Sequence, residues 1–139
     1  MDIMTDMLAE IEFSGEFNLL DYMITNYLGD STIDDAARLL LLPAAAKIAR
    51  NRLRSERALI VTSYSSSAGT RRSVWCSEFS LHPANELLVN SCDGRLPLTS
   101  YYFERKEIVL QFPQFPALRC GYGAWTRYYA LELLDILFY

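Results

Sequence analysis

Positive charge is missing from the first 35 residues, where nine acids (Asp2, Asp6, Glu10, Glu12, Glu16, Asp21, Asp30, Asp34 and Asp35) stand without a lysine or arginine. Residues that carry chemistry are sparse as well. Histidine occurs once, at His82, before Pro83, where it reads as a loop residue. Cysteine occurs three times (Cys76, Cys92 and Cys120), at gaps of 16 and 28 residues that fit neither a disulfide framework nor a zinc knuckle. The longest uncharged apolar run, Leu39–Ala46, is eight residues long and is broken by Pro43. A membrane span needs about 20. Six glycines and five prolines are too few for a collagen-like or linker chain. No repeat period of roughly 20 to 50 residues suggests a solenoid. The acidic beginning lacks the basic start of an export signal. No glycine-rich phosphate loop, HExxH or paired carboxylate suggests catalysis. The expectation is a reduced, cytoplasmic, single-domain protein over residues 1–139. It is expected to have no catalytic residue, metal or cofactor, to be no enzyme and to have no membrane partner.

What is present points to a folded core. Hydrophobic residues make up 51% of the chain and charged ones 22%, which excludes disorder. The net charge of 13 − 17 = −4 is unevenly spread. Residues 1–35 sum to −9. Residues 36–77 carry eight bases against Glu56, giving +7, and residues 78–139 sum to −2. A basic middle segment calls for an anionic partner, or else for neutralisation by the acidic segment within the fold. Both remain open at this point.

Periodicity predicts a short amphipathic helix over Asp2 to Phe13 and a second over Glu16 to Leu28, stopped by Gly29. Ser31 and Thr32 can cap a third helix carrying Ile33, Ala36, Ala37, Leu39 and Leu40, with Asp34 and Asp35 favouring its N-terminus. Pro43 resets the chain and opens a fourth helix to about Glu56. The period then changes from 3.6 to 2. Ala58–Tyr64 and Arg71–Leu81 read as strands around a serine-rich turn. Asp93-Gly94 predicts a hairpin between Glu86–Ser91 and Arg95–Phe103, and Glu107–Phe112 a further strand. Trp125, Tyr128, Tyr129, Leu133, Ile136 and Leu137 predict a C-terminal helix. The fold class is therefore α+β. The doublets Tyr101-Tyr102 and Tyr128-Tyr129 suit an interface and a wet-edged core equally.

The order helix, helix, tight corner, helix, hairpin over residues 16–81 resembles a winged helix-turn-helix domain. The resemblance implies that Thr32–Leu41 is the positioning helix, Ala44–Arg57 the recognition helix and Ala58–Leu81 the wing. Ile33, Ala37, Leu40, Leu42, Ala58, Leu59 and Ile60 then fall at buried positions. Residues 82–139 follow as a β-hairpin and C-terminal helix, the expected dimer or effector part.

On the fourth helix, Ala45, Ile48, Ala49 and Leu53 share one side, and Lys47, Arg50, Asn51 and Arg54 the other. Arginine can fork onto guanine and asparagine onto adenine, while any cation neutralises phosphate. With Arg57 after them and Thr70, Arg71 and Arg72 at the wing's tip, these residues form a candidate duplex-DNA surface. Arg52 and Glu56, one turn apart, read as a local ion pair. The functional expectation is a DNA-binding transcription regulator, dimeric through the C-terminal helix. The alternative is a small interaction protein, such as a phage or mobile-element inhibitor or adaptor, that binds a larger assembly. A third possibility joins them, with the acidic N-terminus covering the basic helix.

Overall fold

The computed structural model describes residues 13–65, 69–75, 78–91, 94–121, 123 and 126–139. The expected helix over Asp2 to Phe13, with Cys76, Cys92, Asp93 and Trp125, falls almost wholly outside the described residues.

The chain opens with β1 (Gly15–Asn18) and three helices, α1 (Leu19–Tyr27), α2 (Ile33–Leu40) and α3 (Pro43–Ser55). Each helix starts where local chemistry requires. The Asn18 side chain accepts the Asp21 N–H at the head of α1, and Thr32 accepts the Asp35 N–H at the head of α2. Pro43 occupies the first turn of α3, where its missing N–H costs nothing. Gly29, at φ +66°, turns the chain out of α1 in a left-handed conformation that side chains disfavour.

After the helices come β2 (Ala58–Ser65), β3 (Arg71–Ser73), β4 (Glu78–Pro83), a 3-10 turn (Ala84–Glu86), and the hairpin β5 (Leu88–Ser91) and β6 (Gly94–Pro97). Helix α4 (Leu98–Lys106) precedes β7 (Pro116–Cys120) and β8 (Arg127–Ala130). A second 3-10 turn (Leu131–Leu133) leads into β9 (Leu134–Phe138). The strands form a four-stranded sheet in the order β1-β9-β2-β3, a three-stranded sheet β4-β7-β8, and the separate pair β5-β6. Every pairing is antiparallel. The first sheet joins the two ends of the described chain. Gly15 stands opposite Phe138, and Phe138 opposite Ala58.

Two apolar clusters hold these parts together. The larger packs Leu19, Leu20 and Met23 of α1, Ala36 and Leu40 of α2, and Ala49 and Leu53 of α3 with Ile60, Phe115, Leu118, Leu134 and Ile136. The smaller, around Leu87, Leu98, Tyr102, Leu110, Ala117 and Ala130, seats the β5-β6 hairpin and α4 on the body. These two elements form a hairpin–helix unit, closed on itself by the Leu98 N–H to the Leu87 carbonyl and tied to the second sheet by the Tyr102 hydroxyl, which accepts the Ala130 N–H at 3.2 Å.

Helices α2 and α3, strand β2 and the β5-β6 hairpin stand where sequence places them. Much else is corrected. The winged-helix arrangement is replaced by a mostly antiparallel β architecture with few helices. Glu16–Asn18, expected to open the second helix, is strand because its backbone pairs with β9 across the length of the chain, and the helix begins at Leu19. The expected strand Arg71–Leu81 is two strands in different sheets, so no wing forms. Arg95–Phe103 divides at Pro97 into strand and helix, and Glu107–Phe112 belongs to no element. The expected C-terminal helix is β8, a 3-10 turn and β9, which removes the proposed helical dimer contact. Leu134, Ile136 and Leu137 are buried on both faces of β9, and such a strand matches a helical apolar pattern over a short run.

Candidate nucleic-acid interface

A cleft of about 480 Å³ lies between the body and the hairpin–helix unit. Thr62 and Tyr64 of β2, Arg72 of β3, and Arg127, Tyr128 and Tyr129 of β8 line it from the body, with Thr126 just before β8. Val89 and Asn90 of β5 and Leu98, Tyr101, Tyr102 and Lys106 of α4 line it from the opposite side. Among the described residues the lining thus holds five tyrosines and three cations, and no carboxylate, in a chain whose net charge is −4.

The position of each group follows from the backbone. Successive strand residues point to opposite faces, so Arg71 and Arg72 part company. Arg71 extends to Asp135 at 2.6 Å and Glu16 at 2.8 Å, and its Nε donates to the Thr62 carbonyl at 2.9 Å. Arg72 lines the cleft, where a hydrogen bond to Tyr129 raises its pKa and secures its charge. The Arg72 N–H donates to the Thr62 hydroxyl at 3.0 Å, which fixes β3 against β2 at the cleft wall. Lys106 sits 5.5 Å over the Tyr64 ring. Tyr102, buried at the floor, meets Tyr64 and Tyr101 edge to face. Burial first, then the neighbouring Tyr64, pushes the Tyr102 phenol up, and burial does the same for Tyr64. Both phenols are therefore neutral hydrogen-bonding groups at ordinary pH. Asp135 also rises, through burial opposed by Arg71.

The residues expected to bind DNA are dispersed by this fold. Lys47, Asn51, Arg54 and Arg57 are exposed around α3 and its end, whereas Arg50 is half-buried. Among the described residues the Arg50 Nε has no hydrogen-bond partner, and Nη2 approaches Asn51 Oδ1 at 3.5 Å. Ile48, placed by periodicity on the buried side, is 63% exposed, because the face that α3 buries is centred on Ala49 and Leu53, with Ala46 beside them. Arg52 and Glu56 are not an ion pair. Arg52 lies 4.4 Å over the Tyr27 ring, and Glu56 accepts the hydroxyls of Tyr22 and Tyr27. Thr70 is half-buried ahead of β3, and Arg71 is held by carboxylates. Of the eight residues only Arg72 lines the cleft. Sequence reading missed Thr62, Tyr64, Lys106 and Arg127, while the tyrosine doublets carried the one usable signal.

Among the described residues no group of histidine, cysteine, aspartate and glutamate could hold a metal ion, and no helix is long and apolar enough to cross a membrane.

No protein-family model matches this chain, and no curated protein does. Solved structures do. A Drosophila Argonaute PAZ domain in complex with 3'-end 2'-O-methylated RNA is similar at a TM-score of 0.62 and 19% identity, over 87% of this chain and 98% of that one. A Drosophila Argonaute 2 PAZ domain, described for its 3' end recognition of nucleic acids, is similar at 0.56 and 18%, over 88% and 95%. Another Drosophila Argonaute 2 PAZ structure, reported with its nucleic-acid binding, is similar at 0.55 and 20%, over 85% and 96%. At such identities the likeness establishes a shared fold. It overturns the winged helix-turn-helix resemblance, and with it the duplex-DNA transcription regulator. The inhibitor or adaptor alternative has no support either.

Proposed function

We propose that this chain binds single-stranded RNA by its 3' end, in the cleft between the body and the hairpin–helix unit, as a binding module without a catalytic step. The observation that carries the reading is the lining itself, with five tyrosines and three cations, and no carboxylate among the described residues, around about 480 Å³. Such a site suits a ligand that is anionic along its backbone and flat in its bases. Arg72, Lys106 and Arg127 would neutralise phosphates, and the hydroxyls of Tyr101, Tyr128 and Tyr129 would donate to phosphate oxygens. The rings offer faces for stacking, worth about 1–3 kcal/mol per base in single-strand binders. The buried floor of Leu98 and Tyr102 favours a strand end over a strand passing through. The similar Drosophila domains, one described with 3'-end RNA, support the choice of an end. A reducing, cytoplasmic setting belongs to the same proposal and suits three cysteines whose spacing fits no disulfide framework.

Anisotropy titration of one sequence as linear RNA with a free 3' end and as a closed circle tests the proposal. Circularisation is expected to weaken binding by about tenfold or more, the equivalent of roughly 1.4 kcal/mol of end-specific contact. Equal affinity for the circle would sink it.

A further inference from the structure

Trp75 is 77% exposed, the most exposed of the large apolar side chains among the described residues. It does not line the cleft, yet its backbone is fixed beside the cleft from two directions. Along the chain it lies three residues after Arg72, a Cα separation of at most about 11 Å. Across the molecule, the Cys120 thiol donates to the Trp75 carbonyl at 2.9 Å. Cys120 in turn stands opposite Arg127 in the β7-β8 ladder. Facing residues in such a ladder are about 4.5–5.5 Å apart. Arg72 and Arg127 are two of the three cations of the cleft, so Trp75 is placed at the rim that both of them share.

An indole held in water beside a polyanion-binding cleft contributes nothing to the core. Its flat face suits a nucleobase, since every base offers a π surface and base–aromatic stacking tolerates any sequence. Stacked nucleotides advance about 3.4 Å along one strand, so 11 Å is a reach of roughly three nucleotides. We infer that Trp75 is a stacking platform for a base a few nucleotides before the 3' end whose terminal nucleotide occupies the cleft. The inference rests on the function proposed above and extends the site beyond its lining. It makes affinity depend on a base there while leaving the identity of that base unread.

The experiment compares the wild-type chain, Trp75→Ala and Trp75→Phe against single-stranded RNA. The RNAs are intact or carry one abasic nucleotide at the second, third, fourth or fifth position from the 3' end. Trp75→Ala is expected to weaken intact RNA by about 5- to 100-fold, the size of one lost stacking contact. Trp75→Phe should retain part of that affinity. The loss should disappear for one abasic position, because the contact is already missing there. The salt dependence of binding should not change, since no phosphate contact is removed. Thermal unfolding should match the wild type, since the side chain is exposed. Unchanged affinity in Trp75→Ala, or the same loss at all four abasic positions, would overturn the platform while leaving the cleft reading intact. Failure of the wild-type chain to bind any 3'-ended RNA would overturn both.

Discussion

Arg71 and Arg72 leave β3 on opposite sides, and the two guanidinium groups meet different chemistry. Arg71 is engaged by Glu16, Asp135 and the Thr62 carbonyl, whereas Arg72 pairs with Tyr129 in the cleft. Arg71→Ala leaves the half-buried Asp135 without its cation and is expected to lower unfolding free energy by about 1–3 kcal/mol, with little effect on RNA affinity. Arg72→Ala should do the reverse. Stability should hold, affinity should fall, and the slope of log K against log salt should shrink by about 0.7 for a lost single-strand phosphate contact. Urea unfolding and titrations at several salt concentrations separate the two. Equal losses of affinity would show that the doublet acts as one patch, as a wing tip does. The alternation that divides the pair was legible in the sequence. Which side faced the cleft was not, because Glu16, Asp135 and Tyr129 come from distant parts of the chain.

Among the elements, those set by local chemistry were legible and those set by distant pairing were not. The Thr32 cap, Pro43 at the start of α3 and Gly94 at the β5-β6 turn each act within a few residues, and these elements stand where sequence puts them. β1 has only four residues and depends on β9, and β9 has buried residues on both faces, so neither shows a period of 2. Helix α4 was hidden for a related reason. Its apolar positions Leu98, Tyr101 and Tyr102 follow a genuine hairpin strand, and the stop between them is Pro97 alone. Helix α3 gives the sharpest test of packing at this scale. Leu53 is buried in the larger cluster while Ile48 is exposed. Leu53→Ala is expected to cost about 2–4 kcal/mol, and Ile48→Ala to stay within about 0.5 kcal/mol. Chemical denaturation of both variants checks this. A large loss for Ile48→Ala would restore the stripe that periodicity predicts and would contradict the packing of α3 described here.

Across the whole molecule, the steps of −9, +7 and −2 along the chain raise the choice between an anionic partner and neutralisation within the fold, and the fold divides the cations of the middle segment between two settings. Part of the basic middle segment meets acids inside the fold, as Arg71 does with Glu16 from the acidic first segment. Another part, Arg72, joins Lys106 and Arg127 from the last segment, where the sequence carries no excess of bases. A sum over segments could not locate the cleft, because its cations come from β3, α4 and β8 and converge only after folding. The central claim is that a strand end enters that cleft. Amide chemical-shift mapping with a short single-stranded RNA bearing a free 3' end tests it most directly. The account predicts that the shifts concentrate on Thr62, Arg72, Tyr101, Lys106 and Arg127–Tyr129. Shifts confined to Lys47–Arg54 on α3, with the cleft silent, would contradict it.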